Sequence, residues 1–198
     1  MDTTSFLGII LFVGIVAVTP GPNNLMLAAS AANFGFRRTV PHICGIMIGI
    51  AAMVLAIGLG LGALLKSFPV LDEVMRVFST LFLLYLSWRI ANAGRPAAQA
   101  DARPLSFLAA ASFQLINPKG ISFFASVTAA HVSADTPLLP QVIPLVMLLS
   151  TFTLISALIW SLFGTVIGRL LTNDRTLKIF NLVMAGLLVA CIIPIAFA

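Results

Sequence analysis

Twice in this chain a hydrophobic stretch long enough to cross a bilayer is interrupted near its middle by helix-breaking and polar residues. The interruptions are Thr19-Pro20-Gly21-Pro22-Asn23-Asn24 and Asn117-Pro118-Lys119-Gly120. A broken helix frees backbone N–H and C=O groups that hydrocarbon cannot satisfy, so such breaks persist only where they are buried in protein or line a polar cavity. Corresponding breaks in the two halves of a membrane chain point to a transporter site near the bilayer midplane.

The composition sets the same frame. Residues are 60% hydrophobic and only 9% charged, with mean hydropathy +1.11, whereas a soluble domain carries about a quarter charged residues. The expected fold is therefore all-α, a polytopic membrane helix bundle. Its 198 residues accommodate about six spans of ~20 residues with short connections and no separate soluble domain. The apolar run Phe6 to Val18 is flanked by Asp2 rather than a basic segment, and no small-residue cleavage site follows, so it reads as a retained span.

Six spans are expected: 5–33, broken at Pro20 to Asn24; 40–65; 70–90; 105–132, broken at Asn117 to Gly120; 138–167; and 177–197. They form a single transmembrane domain over 1–198, with one three-span repeat at about 1–92, a loop at 93–104 and a second repeat at about 105–198. Three spans per repeat insert the second repeat upside down relative to the first, an inverted-repeat arrangement. The glycine pair Gly45-x-x-x-Gly49 of span 2 is expected to face Gly164-x-x-x-Gly168 of span 5, small residues that let helices approach closely.

Basic residues give an orientation. The loops after spans 1, 3 and 5 hold Arg37 and Arg38; Arg89, Arg95 and Arg103; and Arg169, Arg175 and Lys178, while the opposite side holds Lys66 and Arg76. Such a bias places the first set in the cytoplasm and both termini outside the inner membrane; a re-entrant first half of span 1 would instead leave five crossings. Because these residues are spread over loops, the net charge of +5 calls for no nucleic acid. Membrane lipid is the expected surrounding, and assembly into a homo-oligomer is left open.

The breaks supply the candidate site. Pro20 and Pro22 remove backbone donors and Gly21 can adopt angles closed to other residues, so helix 1 is expected to open there. The second half-helix then presents the positive end of its dipole, and Asn23 and Asn24 add donors and acceptors suited to a carboxylate or carbonyl group; the alternative is that the asparagines serve only the freed backbone. Lys119 lies about halfway along its span, where a charged lysine costs at least ~2.5 kcal/mol. Its ammonium is suited to a substrate carboxylate, to the C-terminal carbonyls of the first half of span 4, or to proton exchange, with snorkelling as the competing reading. Pro118 and Gly120 open the second break, Asn117 adds polarity, and Gln114 is placed to answer a backbone group released by Pro118. His42 and His131 read as interfacial residues not spaced as a metal pair, and Tyr85 and Trp88 fit an interfacial belt. No Asp or Glu falls clearly inside a span, and no nucleotide-binding loop occurs, so neither a cofactor nor direct ATP drive is expected.

At these residues the chain resembles the lysine exporter (LysE/RhtB) family of bacterial amino-acid exporters. The resemblance rests on Thr19-Pro20-Gly21-Pro22-Asn23-Asn24, Gly35-x-Arg37, Gly45 with Gly49, Tyr85-Leu86-x-Trp88, and Gln114-Leu115-Ile116-Asn117-Pro118-Lys119-Gly120 with Phe123-Phe124. It implies a small inner-membrane exporter of amino acids or close derivatives, driven by the proton gradient. The Pro-Gly-Pro-Asn-Asn form is similar to that of members exporting cysteine and O-acetylserine, where other branches carry an aspartate after the second proline. Substrate contact is then expected at Asn23, Asn24, Asn117, Lys119 and Gln114, with a small neutral amino acid as cargo, such as cysteine, O-acetylserine, homoserine or threonine. Two other classes compete. A thiol-disulfide electron carrier needs a cysteine in each broken span, whereas Cys44 and Cys191 fall in spans 2 and 6. A channel or metal-ion exporter needs acidic, His-rich or Cys-rich spans for a divalent cation.

Overall fold

The computed structural model describes residues 3–93, 103–133 and 136–196, and these are helical with no strand. Asp2, Arg95 and most of the 93–104 loop lie outside the described residues. The helices are α1 (Thr3–Val18), α2 (Pro22–Phe34), α3 (Phe36–Ala56), α4 (Gly62–Ser67), α5 (Pro69–Ala91), α6 (Phe107–Gln114), α7 (Pro118–His131), α8 (Leu138–Leu170), α9 (Asp174–Ala190) and the short α10 (Ile193–Ala196). Local chemistry sets several of these ends. The Ser106 hydroxyl accepts the Ala109 N–H at the start of α6, and Asn173 Oδ1 accepts that of Thr176 at the start of α9. Gly35, at φ 81°, reverses the chain between α2 and α3.

The segments Phe36–Leu65, Leu138–Leu170 and Asp174–Ile195 are long and apolar enough to cross a membrane, and α1 with α2, bent by 49° at the break, make a fourth if taken as one span. α5 has 23 residues but carries Asp72, Glu73, Arg76 and Arg89. α6 and α7 are only 8 and 14 residues long.

Span 2 departs from a continuous helix. A π turn at Ile57–Leu61 joins α3 to α4, with Gly60 at φ 110°, a conformation that side chains with a Cβ rarely adopt.

The interior is matched to a membrane rather than to water. Asn24, Asn33, His42, Gln114, Asn117, Ser156 and Asn181 are buried, while Leu59, Leu108, Met147 and Leu170 point outward. Lipid tails are as apolar as these side chains, so close packing and polar contacts hold the helices together. α2 packs chiefly on α8, α3 on α6 and α8, and α5 on α9. One buried cluster is built around Ile46, Met53 and Leu149, a second around Leu25, Leu83 and Phe113.

The two glycine pairs do not face each other. A Cβ on Gly164 or Gly168 would collide with the Ala28 or Ala32 carbonyl of α2, whereas one on Gly49 would stand 2.6 Å from the Ala111 carbonyl oxygen of α6. Each pair seats a half of a broken span. They are not counterparts under an inverted repeat, because the α3 pair seats the first half of span 4 and the α8 pair the second half of span 1.

One end of the bundle is basic. Lys178 Nζ donates to the Ala91 carbonyl, Asn181 to that of Ala93, and Arg89 to that of Arg103.

Candidate functional site

Breaking α1 at Val18 exposes the carbonyls of its last turn, and nearly every polar side chain nearby is engaged with them. Asn24 Nδ2 donates to the carbonyls of Ala17 and Thr19, both at 2.9 Å. From α8, Ser156 Oγ lies 2.8 Å from the Ala17 carbonyl and 3.1 Å from Asn24 Oδ1, and Trp160 Nε1 donates to the Val18 carbonyl at 3.0 Å. Unpaired carbonyls at a helix C-terminus are costly out of water, so this set stabilises the break.

The other break reaches across to the same place. Lys119 Nζ donates to the Thr19 carbonyl at 3.2 Å and to its hydroxyl at 3.0 Å, across 100 positions of sequence. Half-helix carbonyls are one of the three partners the sequence allows for this ammonium, and the one it meets belongs to the end of the first half of span 1 rather than of span 4. Cation and helix C-terminus attract through the negative end of the dipole.

A second link is an amide pair. Asn23 Nδ2 donates to Gln114 Oε1 at 2.8 Å, and Gln114 Nε2 returns a bond to Asn23 Oδ1 at 3.1 Å. Gln114 also donates to the Ala110 carbonyl at 2.9 Å, so its amide does not answer a group released by Pro118 as expected. The Gln114 carbonyl is reached instead by the Asn117 backbone N–H at 3.3 Å. Asn117 Nδ2 lies 3.5 Å from Gln114 Oε1, while Asn117 Oδ1 is buried without a partner.

Both second half-helices begin the same way. Pro22 opens α2 and Pro118 opens α7, and neither N-terminus carries a side-chain cap. The N–H groups of both first turns are left for other acceptors. Gly21 permits the crossing, since a Cβ there would sit 3.0 Å from Lys119 Cδ and Nζ. Gly120 meets only Phe124 and Asn117 side chains at 3.5 Å or more. Pro20 is exposed at the rim.

Around these groups lies a cavity of about 70 Å³, lined by Asn23, Asn24, Gln114, Asn117, Lys119 and Ser156 among others. Gly21, Pro22 and Lys119 are shared with a larger vestibule of about 430 Å³, whose walls include Asp72, Arg76, Cys191 and Pro194. Lys119 thus stands where cavity and vestibule meet. All five candidate contact residues fall on one cavity, although Asn24 has both amide hydrogens engaged with α1. Ser156 and Trp160 were not legible as site residues; the only sequence signal for Ser156 is a small hydroxyl amid the apolar run of α8. His42 is buried within the bundle, 1% exposed, with neither ring nitrogen partnered.

Comparison with known proteins gives the family. A model of the LysE type translocators matches residues 14–197. The chain belongs to that family. It is therefore a multi-pass membrane translocator and not an enzyme. Cysteine/O-acetylserine efflux proteins of Escherichia coli strain K12, Escherichia coli O9:H4 strain HS and Shigella flexneri serotype 5b are each 29% identical to it over 184 residues, 92% of this chain and 93% of theirs. No solved structure matches the chain.

Proposed function

We propose that this translocator exports small neutral amino acids or their close derivatives, of the cysteine and O-acetylserine kind, from the cytoplasm across the bacterial inner membrane. The carrying observation is the junction of the breaks: Lys119 on Thr19 and Asn23 on Gln114 bring both interruptions to one polar cavity. An α-amino acid has a carboxylate suited to two uncapped helix N-termini and an ammonium group. The free carbonyl oxygen of Asn117 is suited to its amino group. Binding the carboxylate draws Lys119 from Thr19, releasing one of the two links between the breaks and loosening the halves about the site.

The architecture that goes with this reading is a single domain of six spans in two inverted repeats, at about 1–92 and 105–198. Matching proline-led half-helices at the two breaks support it. The basic end faces the cytoplasm and both termini lie outside, following the distribution of Lys and Arg. The vestibule beside Asp72 and Cys191 is then the exit, and the proton gradient is the driving force.

The test is uptake of radiolabelled cysteine, O-acetylserine, threonine and lysine into inverted membrane vesicles, with and without an imposed pH gradient. Gradient-dependent uptake of the neutral substrates, lost in Lys119→Met, is the expected result. Uptake of none, or a Lys119→Met variant at the wild-type rate, overturns the proposal.

A further inference from the structure

At the basic end of the bundle is a second cavity, of about 60 Å³, that shares no lining residue with the central one. Its walls carry Arg89, Arg103, His42, Ser30 and Asn33. Asn33 lies about 14 Å along α2 from Asn24 at the helical rise, so one small molecule cannot fill both cavities.

Most polar wall groups are already matched. Ser30 Oγ and Thr39 Oγ1 lie 3.1 Å apart, Thr39 donates to the Gly35 carbonyl, and Asn33 exchanges two hydrogen bonds with Asn181 at 2.7 and 2.9 Å. His42 is the exception. It is buried to 1% exposure with both ring nitrogens unpartnered, and buried polar groups without partners are few in native proteins. Opposite it, Arg89 is held by the Arg103 carbonyl at 2.9 Å and lies 5.8 Å from the Tyr85 ring centroid. The ion pair found among the described residues, Arg76 with Asp72, is at the vestibule, so no carboxylate among them neutralises Arg89 or Arg103.

A cavity lined by two arginines and by an imidazole without partners fits a zwitterion. We propose that it is a second cargo site, where Arg89 and Arg103 take the carboxylate of an α-amino acid and His42 accepts a hydrogen bond from its ammonium group. Guanidinium groups suit carboxylates because their N–H groups match the two oxygens. Cargo collects here before passing to the breaks. The proposal rests on the export reading, but it adds a site that the breaks do not require.

The experiment uses full-length protein in lipid nanodiscs on a Cys44→Ser, Cys191→Ser background. Ala93→Cys, on the cavity wall, is labelled with a thiol reagent in the presence and absence of O-acetyl-L-serine. At about ten times the dissociation constant, bound cargo slows labelling about tenfold, following the free fraction of the site. That protection persists when Lys119→Met is added and disappears with Arg89→Gln and Arg103→Gln together. Protection that vanishes with Lys119→Met overturns the second site and leaves export standing, as does unprotected labelling in a protein that still exports. Equal protection by inorganic phosphate, or protection in phosphatidylglycerol nanodiscs without cargo, overturns it in favour of a general anion or lipid-headgroup site. Loss of both protection and export overturns this proposal and the export reading together.

Discussion

Replacing Gly164 by alanine tests the packing that positions the first break. A Cβ at Gly164 would collide with the Ala28 carbonyl oxygen and stand 2.8 Å from Ala28 Cα, whereas one at Gly186, on α9, would meet nothing within 4 Å. Ordinary C···O contacts begin near 3.3 Å, so α2 must withdraw from α8 by about 1 Å. Neither atom can rotate aside, because both belong to a helix backbone. Overpacking of this kind costs about 1–3 kcal/mol, and the absence of a flexible neighbour puts Gly164→Ala toward the upper end. Alanine also gains about 1 kcal/mol of helix propensity over glycine, at both positions, so the difference between the two variants isolates the contact. At roughly 2–4 °C per kcal/mol for a chain of this size, Gly164→Ala should melt roughly 5–10 °C below Gly186→Ala. Thermal unfolding in detergent, followed by tryptophan fluorescence, reads this directly, since Trp160 lies on α8 beside the break. Melting of the two variants within about 1 °C of each other would refute backbone contact between α2 and α8, because that gap corresponds to under ~0.5 kcal/mol.

Three further outcomes follow from the site. In a double-mutant cycle of Asn23→Ala and Gln114→Ala, unfolding free energies should show a coupling of about 0.6–1.7 kcal/mol, the range for polar pairs between membrane helices; a coupling indistinguishable from zero contradicts the reciprocal amide bond. Ser156→Ala should lower stability by about 1 kcal/mol, the net worth of one hydrogen bond, whereas Thr151→Ala should be nearly silent in a denaturation assay because Thr151 bonds only back to Met147 of its own helix. For orientation, on a background lacking Cys44 and Cys191, Arg38→Cys should be protected from an impermeant thiol reagent in cells with a permeabilised outer membrane, while Phe68→Cys should react; the reverse pattern inverts the assignment.

The breaks were legible because proline, glycine and asparagine in an apolar run have few structural meanings, and the residues at their centres share one cavity. Their partners were less visible. Lys119 could be placed mid-span from its position, but only the fold shows that it caps α1 rather than its own helix. Ser156 and Trp160 carried little signal, since a lone hydroxyl or indole in a long apolar helix commonly bonds back or faces lipid. Burial of His42 depends on which face of α3 meets the bundle, which a helix apolar on most sides does not declare. The glycine pairs were recognised as close-packing seats, yet spacing alone could not name their partners. Gly58, Gly60 and Gly62 alternate through the segment where span 2 departs from α geometry, a cue overlooked beside its strong hydropathy.

The manner in which α1 ends has a consequence for synthesis. Its last carbonyls are satisfied by Asn24 from the same half of the chain, but also by Lys119, Ser156 and Trp160, which leave the ribosome much later. Until the second half is inserted, the first carries exposed peptide dipoles that lipid will not solvate. The nascent first half must therefore wait beside water or the insertion machinery, and its final tilt is set only when translation has passed Trp160. A chain cut between the halves should mature only when both fragments are made in the same cell, each finishing a helix begun by the other.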